Sequence, residues 1–290
     1  MSNPRIAVLL TSFNRREVTV ACLSALHAQR VWDDLHFETF LVDDRSTDGT
    51  SEAIGKKFPK VHVFRSAGNL FWNGGMRMAF AIAMKSGFDW YLLLNDDTIL
   101  DEDALDKLIV SARISSASTP AIIVGTTRSP GSHKPTYGGY ALRTSGVALI
   151  LDRVHPDPRR LTPCDTMNGN VALIPAQVTQ TIGNLEPQFC HQFGDLDYGL
   201  RAKRAGFSIL VAPGFVGECA ENSPVGSWRD RDATFAERWA NLLSPKGVPF
   251  REWFLFTRRH YGWRFLAYTL SPYLKTIVSS LVHPKPVHSH

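Results

Sequence analysis

Several motifs and long apolar runs are missing from this sequence of 290 residues, and each absence argues against a class of protein. No run of eighteen or more apolar residues occurs, so no membrane-spanning helix is expected. No GxGxxG follows the first apolar segment and no GxxxxGK[ST] occurs, which disfavours dinucleotide-binding and phosphate-loop domains. The absence of GxSxG and HExxH likewise disfavours an α/β-hydrolase and a zinc metalloprotease.

Cysteine is also scarce in this chain. Cys22, Cys164, Cys190 and Cys219 lie far apart and form no CxxC pair, which predicts buried or free thiols in a reducing cytoplasm. The N-terminus lacks a basic region followed by an apolar run and a small-residue cleavage site, so we interpret residues 5–11 as a strand. The length fits one large α/β domain or such a domain with an appendage.

Charge is unevenly distributed along the sequence. The net charge is +5, yet the segment from Gly226 onward contains ten Lys or Arg against four Asp or Glu. The same segment contains four of the seven tryptophans. A basic, aromatic C-terminal segment of this kind points to a surface or partner of its own.

Short apolar segments alternate with helical patterns through most of the chain. The segments that read as strands are Arg5–Thr11, Phe37–Val42, Val61–Phe64, Trp90–Leu94, Ala121–Val124, Val171–Ile174 and Phe207–Val211. The helical patterns lie at Glu17–Gln29, Met76–Lys85, Asp101–Ala112 and from Gly194 to Gly206, and residues 137–151 alternate as in a hairpin. This order predicts an α/β fold with a mostly parallel central sheet covered by helices on both faces.

Polar clusters follow three of the predicted strands. They are Ser12-Phe13-Asn14, Asp43-Asp44 and Asn95-Asp96-Asp97. Ligands of α/β sheets bind outside the carboxyl ends of the strands. The shared position of the three clusters therefore predicts a ligand site at that edge.

The segment Asn95-Asp96-Asp97 allows two interpretations. It is either a strand-to-helix turn, in which aspartate is favoured for local hydrogen bonding, or a site for a hard cation. Mg²⁺ and Mn²⁺ prefer oxygen ligands, and Mg²⁺ usually binds one or two carboxylates together with substrate phosphates.

The other polar segments are open to the same pair of interpretations. Asp43 either belongs to a turn or accepts hydrogen bonds from a base or ribose. Asn73-Gly74-Gly75 either starts a helix or lets an anionic ligand approach the backbone, and Arg77 either serves a diphosphate or is solvated.

Asp195 and Asp197 lie in the first turn of a predicted helix. There the helix dipole favours carboxylates, and Asp197 and Arg201 form an i,i+4 pair. The alternative is that one of the two carboxylates is a general base that accepts the proton of a hydroxyl nucleophile.

Taken together, these segments resemble the family 2 glycosyltransferases, which have the GT-A nucleotide-diphospho-sugar transferase fold. The resemblance is carried by SFNR, VDDRSTDGT, GNLFWNGGMRMA, LLLNDDT and GDLDYGLRAKRAG, in this order, over about residues 5–215. It implies a nucleoside-diphosphate sugar donor, such as a UDP- or dTDP-sugar. It also implies a divalent Mn²⁺ or Mg²⁺ ion and inversion at the anomeric carbon.

The resemblance also implies roles for individual residues. Asp97 would bind the metal, with Glu218 as a second ligand, and Asp195 would be the catalytic base. Asn168 and Asp197 would lie on the side of the glycosyl acceptor. The donor side would comprise Thr11, Ser12, Asn14, Asp43, Asp44, Asn73, Gly74, Gly75, Arg77, Asn95 and Asp96.

We expect a catalytic domain at residues 1–225, with a nucleotide-sugar half at about 1–125 and an acceptor half at about 126–225. Residues 226–290 would form a helical extension. In it Phe250, Phe254, Tyr261, Phe265 and Tyr268 would share one side of a helix that starts after Pro249 and stops at Pro272.

This aromatic stripe has two interpretations. It would either dock on anionic lipid, beside a lipid-linked glycosyl acceptor at the cytoplasmic face of the inner membrane, or pack on the catalytic domain or a second subunit. No nucleic-acid-binding module accompanies the basic charge, so we expect no nucleic-acid partner.

The sequence thus predicts a cytoplasmic glycosyltransferase that acts on a saccharide or lipid-linked saccharide in surface polysaccharide synthesis. One alternative is transfer to a polyprenyl phosphate, which is already anionic and needs no base. Another is a GT-A domain that binds or assembles without catalysis, because Gly194 stands where the family often has glutamate.

Overall fold

The computed structural model describes residues 4–30, 36–115, 120–145, 148–230 and 232–282. Its strands are β1 (Arg5–Ser12), β2 (His36–Asp43), β3 (His62–Arg65), β4 (Trp90–Leu94), β5 (Ile99–Leu100), β6 (Ala121–Arg128), β7 (Gly139–Ser145), β8 (Ala148–Arg153), β9 (Thr162–Pro163), β10 (Thr166–Met167), β11 (Val171–Pro175) and β12 (Ser208–Glu218). Its helices are α1 (Arg16–His27), α2 (Thr50–Lys57), α3 (Phe71–Met84), α4 (Ala104–Ser115), α5 (Ala176–Ile182), α6 (Gly194–Arg204), α7 (Phe235–Leu243), α8 (Phe250–His260) and α9 (Phe265–Val282).

Nine of these strands form one central sheet. Its order is β3-β2-β1-β4-β11-β6-β12-β5, and β9 pairs with β12 outside this path. Strands β3, β2, β1, β4, β6 and β12 run in the same direction, whereas β11, β5 and β9 run against them. The predicted mostly parallel sheet is therefore confirmed.

Helices cover both faces of this sheet, because the strand side chains point alternately to each face. Ile6, Val8 and Leu10 of β1 pack with α1, α2 and α4 in one core cluster. Ala7 and Leu9 face a second cluster formed with α3, α5 and α6. Since both faces are covered, β1 is apolar along most of its length, as the sequence indicated.

The register of the sheet brings the polar strand ends to one edge. Ser12 at the end of β1 pairs with Asp43 at the end of β2. Asn95 follows β4, and its backbone N–H donates to the carbonyl of Asn170, which precedes the antiparallel strand β11. The loops after β1, β2 and β4 and the loop before β11 are therefore neighbours.

A smaller sheet and a group of helices complete the fold. Strands β10, β7 and β8 form a three-stranded antiparallel sheet, and the predicted hairpin at residues 137–151 corresponds to β7 and β8. Helix α7 begins with a capping box between Thr234 and Glu237. Helix α8 begins immediately after Pro249, as predicted.

The expectation of one continuous C-terminal helix is wrong. A 3-10 turn at Gly262–Arg264 separates α8 from α9, and Pro272 lies inside α9 instead of ending it. Tyr261 and Tyr268 pack against each other, with ring centroids 5.2 Å apart, and Tyr268 is buried. Much of the predicted aromatic stripe thus packs within the protein. No described helix is both long and apolar enough to cross a bilayer.

Candidate active site

A cavity of about 750 Å³ collects side chains from distant parts of the chain. Four of the residues predicted from the sequence line it: Asn95, Asp97, Asn168 and Asp195. Asp97 follows β4 and Asp195 lies in the first turn of α6. The fold therefore places the two carboxylates with distinct predicted roles around one cavity.

An arginine offsets part of the negative charge of the adjacent carboxylates at the end of β4. Nη1 of Arg15 donates to Asp96 Oδ1 at 2.8 Å and to Asp97 Oδ2 at 2.9 Å. Asp96 is buried, and this burial together with the charge of Asp97 raises its pKa above the ordinary value although Arg15 opposes the shift. Arg15 ends the SFNR motif, and no site role was predicted for it from the sequence.

Asp97 also contacts the strand that ends opposite it. The Sγ of Cys219 donates to Asp97 Oδ1 at 3.5 Å and receives a hydrogen bond from Asn170 Nδ2 at 3.2 Å. Burial, followed by the charge of Asp97, raises the pKa of Cys219 to about 12, so this side chain is a neutral thiol. Oε1 of Glu218, the predicted second metal ligand, lies 3.4 Å from Arg128 Nε. The residue that contacts Asp97 is its neighbour Cys219.

The donor set at this position suits a hard cation. The oxygens of Asp96 and Asp97 are ligands that a hard cation prefers, and Arg15 offsets only one of the two negative charges. An ion such as Mg²⁺ needs few protein ligands because water and substrate phosphates complete its coordination. The described residues contain no group of three or more His, Cys, Asp or Glu side chains that would form a complete protein-only metal site.

Trp72 connects the loop after β4 to the loop before β11. Its Nε1 donates to Asn95 Oδ1 at 2.7 Å, and Asn95 in turn donates to Asn170 Oδ1. The indole ring also lies against Gly169, where an added Cβ would come within 2.5 Å of it. Gly169 is therefore required for close packing beside Asp195.

His191 also lines the cavity. Its Nδ1 accepts a hydrogen bond from the backbone N–H of Trp72 at 3.4 Å. Burial, with smaller effects from Lys246 and Arg15, lowers the pKa of His191 to about 4. The ring is consequently neutral near pH 7, and it adds polarity to the cavity without adding charge.

Backbone donors hold the carboxylate of Asp195 in a fixed orientation. Oδ2 accepts from the N–H of Gly169 at 2.9 Å and Oδ1 accepts from the N–H of Leu196 at 2.8 Å. Burial raises the pKa of Asp195 above its ordinary value although these hydrogen bonds act against the shift. A partly desolvated carboxylate with a raised pKa is a stronger base than a solvated one.

Asp197 lies two residues after Asp195 in the sequence, but its side chain lies in a different environment. Its side chain is fully buried and accepts hydrogen bonds from Arg201 Nε at 2.7 Å, Arg259 Nη1 at 2.8 Å and His260 Nε2 at 2.8 Å. Burial opposes ionisation, but the bonds from His260 and Arg201 outweigh it and lower the pKa of Asp197. The predicted place of Asp197 on the glycosyl-acceptor side is not supported, because this carboxylate connects α6 to α8.

The two carboxylates at the end of β2 are engaged by hydrogen bonds within the protein. Asp43 accepts from the N–H of Ser46 at 2.8 Å and from the hydroxyl of Ser51. Asp44 accepts from the N–H of Leu70 at 2.9 Å and so caps the start of α3. Both carboxylates are buried, as expected of aspartates that shape turns.

The loop after β1 is tied to the loop after β2. Asn14 adopts a positive φ of 51°, and its Oδ1 accepts from the backbone N–H of Thr47 at 2.8 Å. The Ser12 hydroxyl lies 2.8 Å from that of Thr19 and is buried, and Thr11 packs against α3. These residues lie at the predicted edge of the sheet, beside the cavity residues of the β4 loop.

The expectation that Asn73-Gly74-Gly75 precedes a helix is wrong, because α3 already begins at Phe71. A Cβ on Gly75 would meet Thr11 Oγ1 at 2.0 Å, so this glycine serves close packing of α3 on β1. Asn73 is buried and donates to the carbonyls of Glu186 and Phe189. Arg77 donates to the carbonyl of Leu185 at 3.2 Å, so it too holds this loop.

Comparisons with known proteins address the family and the fold of the chain. A sequence model of the family described as glycosyltransferase like family 2 matches residues 4–241. No curated protein sequence matches the chain.

Solved structures share the fold at low sequence identity. The mannosyltransferase PcManGT from Pyrobaculum calidifontis, in complex with GDP-Man and Mn²⁺, is 14% identical with a TM-score of 0.54, over 98% of this chain and 76% of that one. S. aureus TarS 1-349 is 12% identical with a TM-score of 0.57, over 92% of this chain and 72% of that one. TarS 1-349 in complex with UDP-GlcNAc matches at 11% identity and the same TM-score, over 92% of this chain and 73% of that one.

Proposed function

The chain belongs to the family of glycosyltransferases like family 2 and is a glycosyltransferase, and from this premise we propose the reaction that it catalyses. It transfers a sugar from a nucleoside-diphosphate sugar to a hydroxyl of a saccharide or lipid-linked saccharide. The anomeric configuration is inverted, and a divalent cation assists the departure of the nucleoside diphosphate.

One observation carries this proposal. Asp97 and Asp195 line the same cavity although 98 residues separate them in the sequence. A single displacement needs a group that stabilises the leaving diphosphate and a base that activates the attacking hydroxyl. The two carboxylates supply these two functions from different elements.

Asp195 is the proposed base. Its two oxygens are oriented by the N–H groups of Gly169 and Leu196, and they retain lone pairs that can accept the proton of the incoming hydroxyl. A positioned base of this type contributes about 10²–10⁴-fold to a rate. Because one carboxylate is enough on this side, a single step with inversion follows.

Asp97, with Asp96 beside it, is the proposed holder of Mn²⁺ or Mg²⁺. When bound, the ion would supply charge stabilisation for the departing diphosphate. Arg15, which contacts both carboxylates, would add a second positive charge for the departing diphosphate. Glu218 is not included in this proposed ligand set because it pairs with Arg128.

The donor is proposed by chemical class. Solved structures with this fold contain GDP-Man in one protein and UDP-GlcNAc in another, which supports a nucleoside-diphosphate sugar donor. We propose a UDP- or dTDP-sugar and retain Thr11, Ser12, Asn14, Asp43 and Asp44 as the edge that faces its nucleotide. The proposed setting is surface polysaccharide synthesis at the cytoplasmic face of the inner membrane.

The test begins with a screen of nucleotide sugars by thermal shift in the presence of Mn²⁺, since a ligand that binds the folded state raises the melting temperature. Release of nucleoside diphosphate from the selected donor is then measured with Mn²⁺ and with EDTA. Asp195→Asn should lower turnover by about 10²-fold or more while donor binding persists.

The stability of Asp195→Asn separates loss of chemistry from loss of fold. A raised pKa means that Asp195 stabilises the folded state at low pH and that this stability is lost as pH rises through the folded pKa. At neutral pH the ionised carboxylate therefore costs stability, but Asp195→Asn also loses one of the two backbone hydrogen bonds, so the variant should melt near the wild-type temperature. Asp103→Asn, an exposed aspartate paired with Lys107, is the matched control and should keep full turnover.

Transfer to a lipid phosphate is a second candidate reaction. Three basic residues, Arg153, Arg229 and Lys275, line the cavity and would favour an anionic glycosyl acceptor. A phosphate is already ionised and needs no base. Turnover that survives in Asp195→Asn would therefore favour the phosphate acceptor over the hydroxyl.

A further inference from the structure

Helix α9 exposes a continuous apolar face. Leu266, Leu270, Leu274, Ile277 and Val278 are spaced so that they share one side of the helix, and each is between 38% and 56% exposed. We call these five side chains the outer face of α9. Trp263, which is 84% exposed, lies in the turn just before the helix.

The opposite side of α9 is fixed to the rest of the protein. Tyr268, Thr269, Tyr273 and Thr276 are buried, and the Tyr273 hydroxyl donates to the carbonyl of Val248 at 2.7 Å. The position of the helix is therefore set by contacts other than the outer face. A contiguous apolar surface on a helix that is already held in place marks an interaction site.

Basic side chains are exposed on the same C-terminal segment as the outer face. Arg264 is exposed and stacks on Trp263, with its guanidinium carbon 5.0 Å from the ring centroid. Lys275 of α9 and Arg258 of α8 are also exposed. Between Phe250 and Val282 the sequence contains one acidic residue, Glu252, and its carboxylate accepts from the backbone N–H of Cys190 at 3.0 Å.

We propose that the outer face of α9 docks on an anionic lipid surface, with Trp263 at the interface and Arg264 and Lys275 at the headgroups. An amphipathic helix with apolar and basic sides binds in this way, in the plane of the membrane. A second copy of this chain fits less well. Two-fold pairing of the outer faces would bring the basic residues of both copies together.

Docking would also hold the cavity close to the membrane, across the width of α9, and this step rests on the proposed function. Tyr268, Ser271, Pro272 and Lys275 of α9 line the cavity that contains Asp195. One helix therefore contacts lipid on one side and the glycosyl-acceptor end of the cavity on the other. An acceptor with an apolar anchor would reach the cavity without leaving the bilayer.

The experiment is co-flotation of the full-length protein with vesicles, in the absence of donor and glycosyl acceptor. Vesicles of phosphatidylcholine with one-third phosphatidylglycerol should bind the protein at least about tenfold more than pure phosphatidylcholine, because each nearby basic residue adds attraction. Leu270→Glu/Leu274→Glu should reduce binding by about tenfold or more, since it places two charges on the surface that enters the bilayer.

Val110→Glu/Ile114→Glu is the matched control. These exposed apolar residues lie four positions apart on α4, and the double substitution introduces the same charge. It should bind vesicles as the wild type does, and both variants should melt near the wild-type temperature. Equal loss in the two double variants would refute docking through α9.

Two further outcomes would overturn the proposal. One is failure of the wild-type protein to float with anionic vesicles. The other is a dimer in sedimentation experiments that Leu270→Glu/Leu274→Glu dissociates, which would assign the outer face of α9 to a second copy. Because vesicle binding is measured without turnover, failure here leaves the proposed reaction intact, and failure of turnover leaves the docking result intact.

Discussion

Arg15 lessens the electrostatic problem posed by adjacent aspartates at the end of a buried strand. One guanidinium contacts both Asp96 and Asp97 and offsets one of their two negative charges. A cation that binds Asp97 must then share or replace the contact with Arg15. The affinity of the site for a metal is consequently set in part by a side chain from the loop after β1.

Replacing Arg15 should make this competition measurable. In Arg15→Gln, the positive charge that competes for Asp97 is removed, so Mn²⁺ should bind more tightly, by about tenfold if the lost contact equals roughly 1.4 kcal/mol. The measurement is the rise in melting temperature on Mn²⁺ titration, which needs no turnover. The rise should be larger in the variant than in the wild type.

Arg16→Gln is the control for this prediction. Arg16 is also exposed, but its guanidinium contacts Glu17 and the Asp48 carbonyl and leaves Asp96 and Asp97 untouched. Its Mn²⁺ response should equal that of the wild type. A weaker response in Arg15→Gln than in the wild type would show that Arg15 supports the cation instead of competing with it.

At the scale of elements, the start of α6 depends on α8. Phe193, which adopts a positive φ of 70° before α6, lies between Trp253 and Phe256 with ring centroids 5.1 and 5.3 Å away. Arg259 and His260 at the end of α8 bind Asp197 in the first turn of α6. The extension therefore fixes the helix that carries Asp195.

Asp197→Asn should be strongly destabilising. The substitution removes the charge that compensates Arg201 and Arg259, and loss of one partner of a buried ion pair costs about 3–5 kcal/mol. Denaturant unfolding would measure this loss. Asp152→Asn, which breaks an exposed pair with Arg143, is the control and should cost about 1 kcal/mol or less.

The pH dependence of unfolding provides a second measurement on Asp197. Its pKa is lower in the folded protein, so its contribution to stability is complete above the unfolded pKa of about 4 and is lost as pH falls through the folded value. The difference between the wild type and Asp197→Asn should therefore shrink below about pH 4. If the difference in the free energy of unfolding between the two proteins stayed constant below about pH 4, the lowered pKa of Asp197 would be contradicted.

At the scale of the whole molecule, the C-terminal helices and the central fold share a core. Leu242, Val248 and Tyr273 form a cluster against which Phe193 and Trp253 pack. Calorimetry of the full chain should therefore give a single transition whose calorimetric and van't Hoff enthalpies agree. Two separate transitions would show that residues 226–290 form an independent unit, and the proposed boundary at 225 would then separate two folding domains.

The parts of the site that sequence reasoning found are those fixed by local chain direction. Asp43 and Asn95 follow apolar strands of one parallel sheet, and the carboxyl ends of such strands share an edge. The contacts that it missed join residues far apart in sequence. Arg15 reaches Asp97 across 82 positions and Cys219 reaches it across 122. Trp72 lies within the motif GNLFWNGGMRMA, and its aromatic side chain was the available signal.

In the C-terminal extension too, the sequence predicted local features but did not predict contacts between distant residues. Helical periodicity and Pro249 indicated where α8 begins, because those features depend on neighbouring residues. The same periodicity did not reveal which apolar side would be covered. Tyr268 is buried, whereas Leu270 and Leu274 are exposed, and that outcome depends on where α9 meets the rest of the fold.

The sequence by itself determined the alternation of strands and helices, the family resemblance and the position of polar residues at strand ends, because each depends on short-range pattern and chain direction. Only the tertiary structure decided that Arg15 contacts both aspartates of the pair, that Asp197 anchors α8 while Asp195 faces the cavity, and that α9 presents an apolar outer face. Those outcomes depend on which side chains long-range packing brings within a few ångströms, and no local pattern encodes that distance.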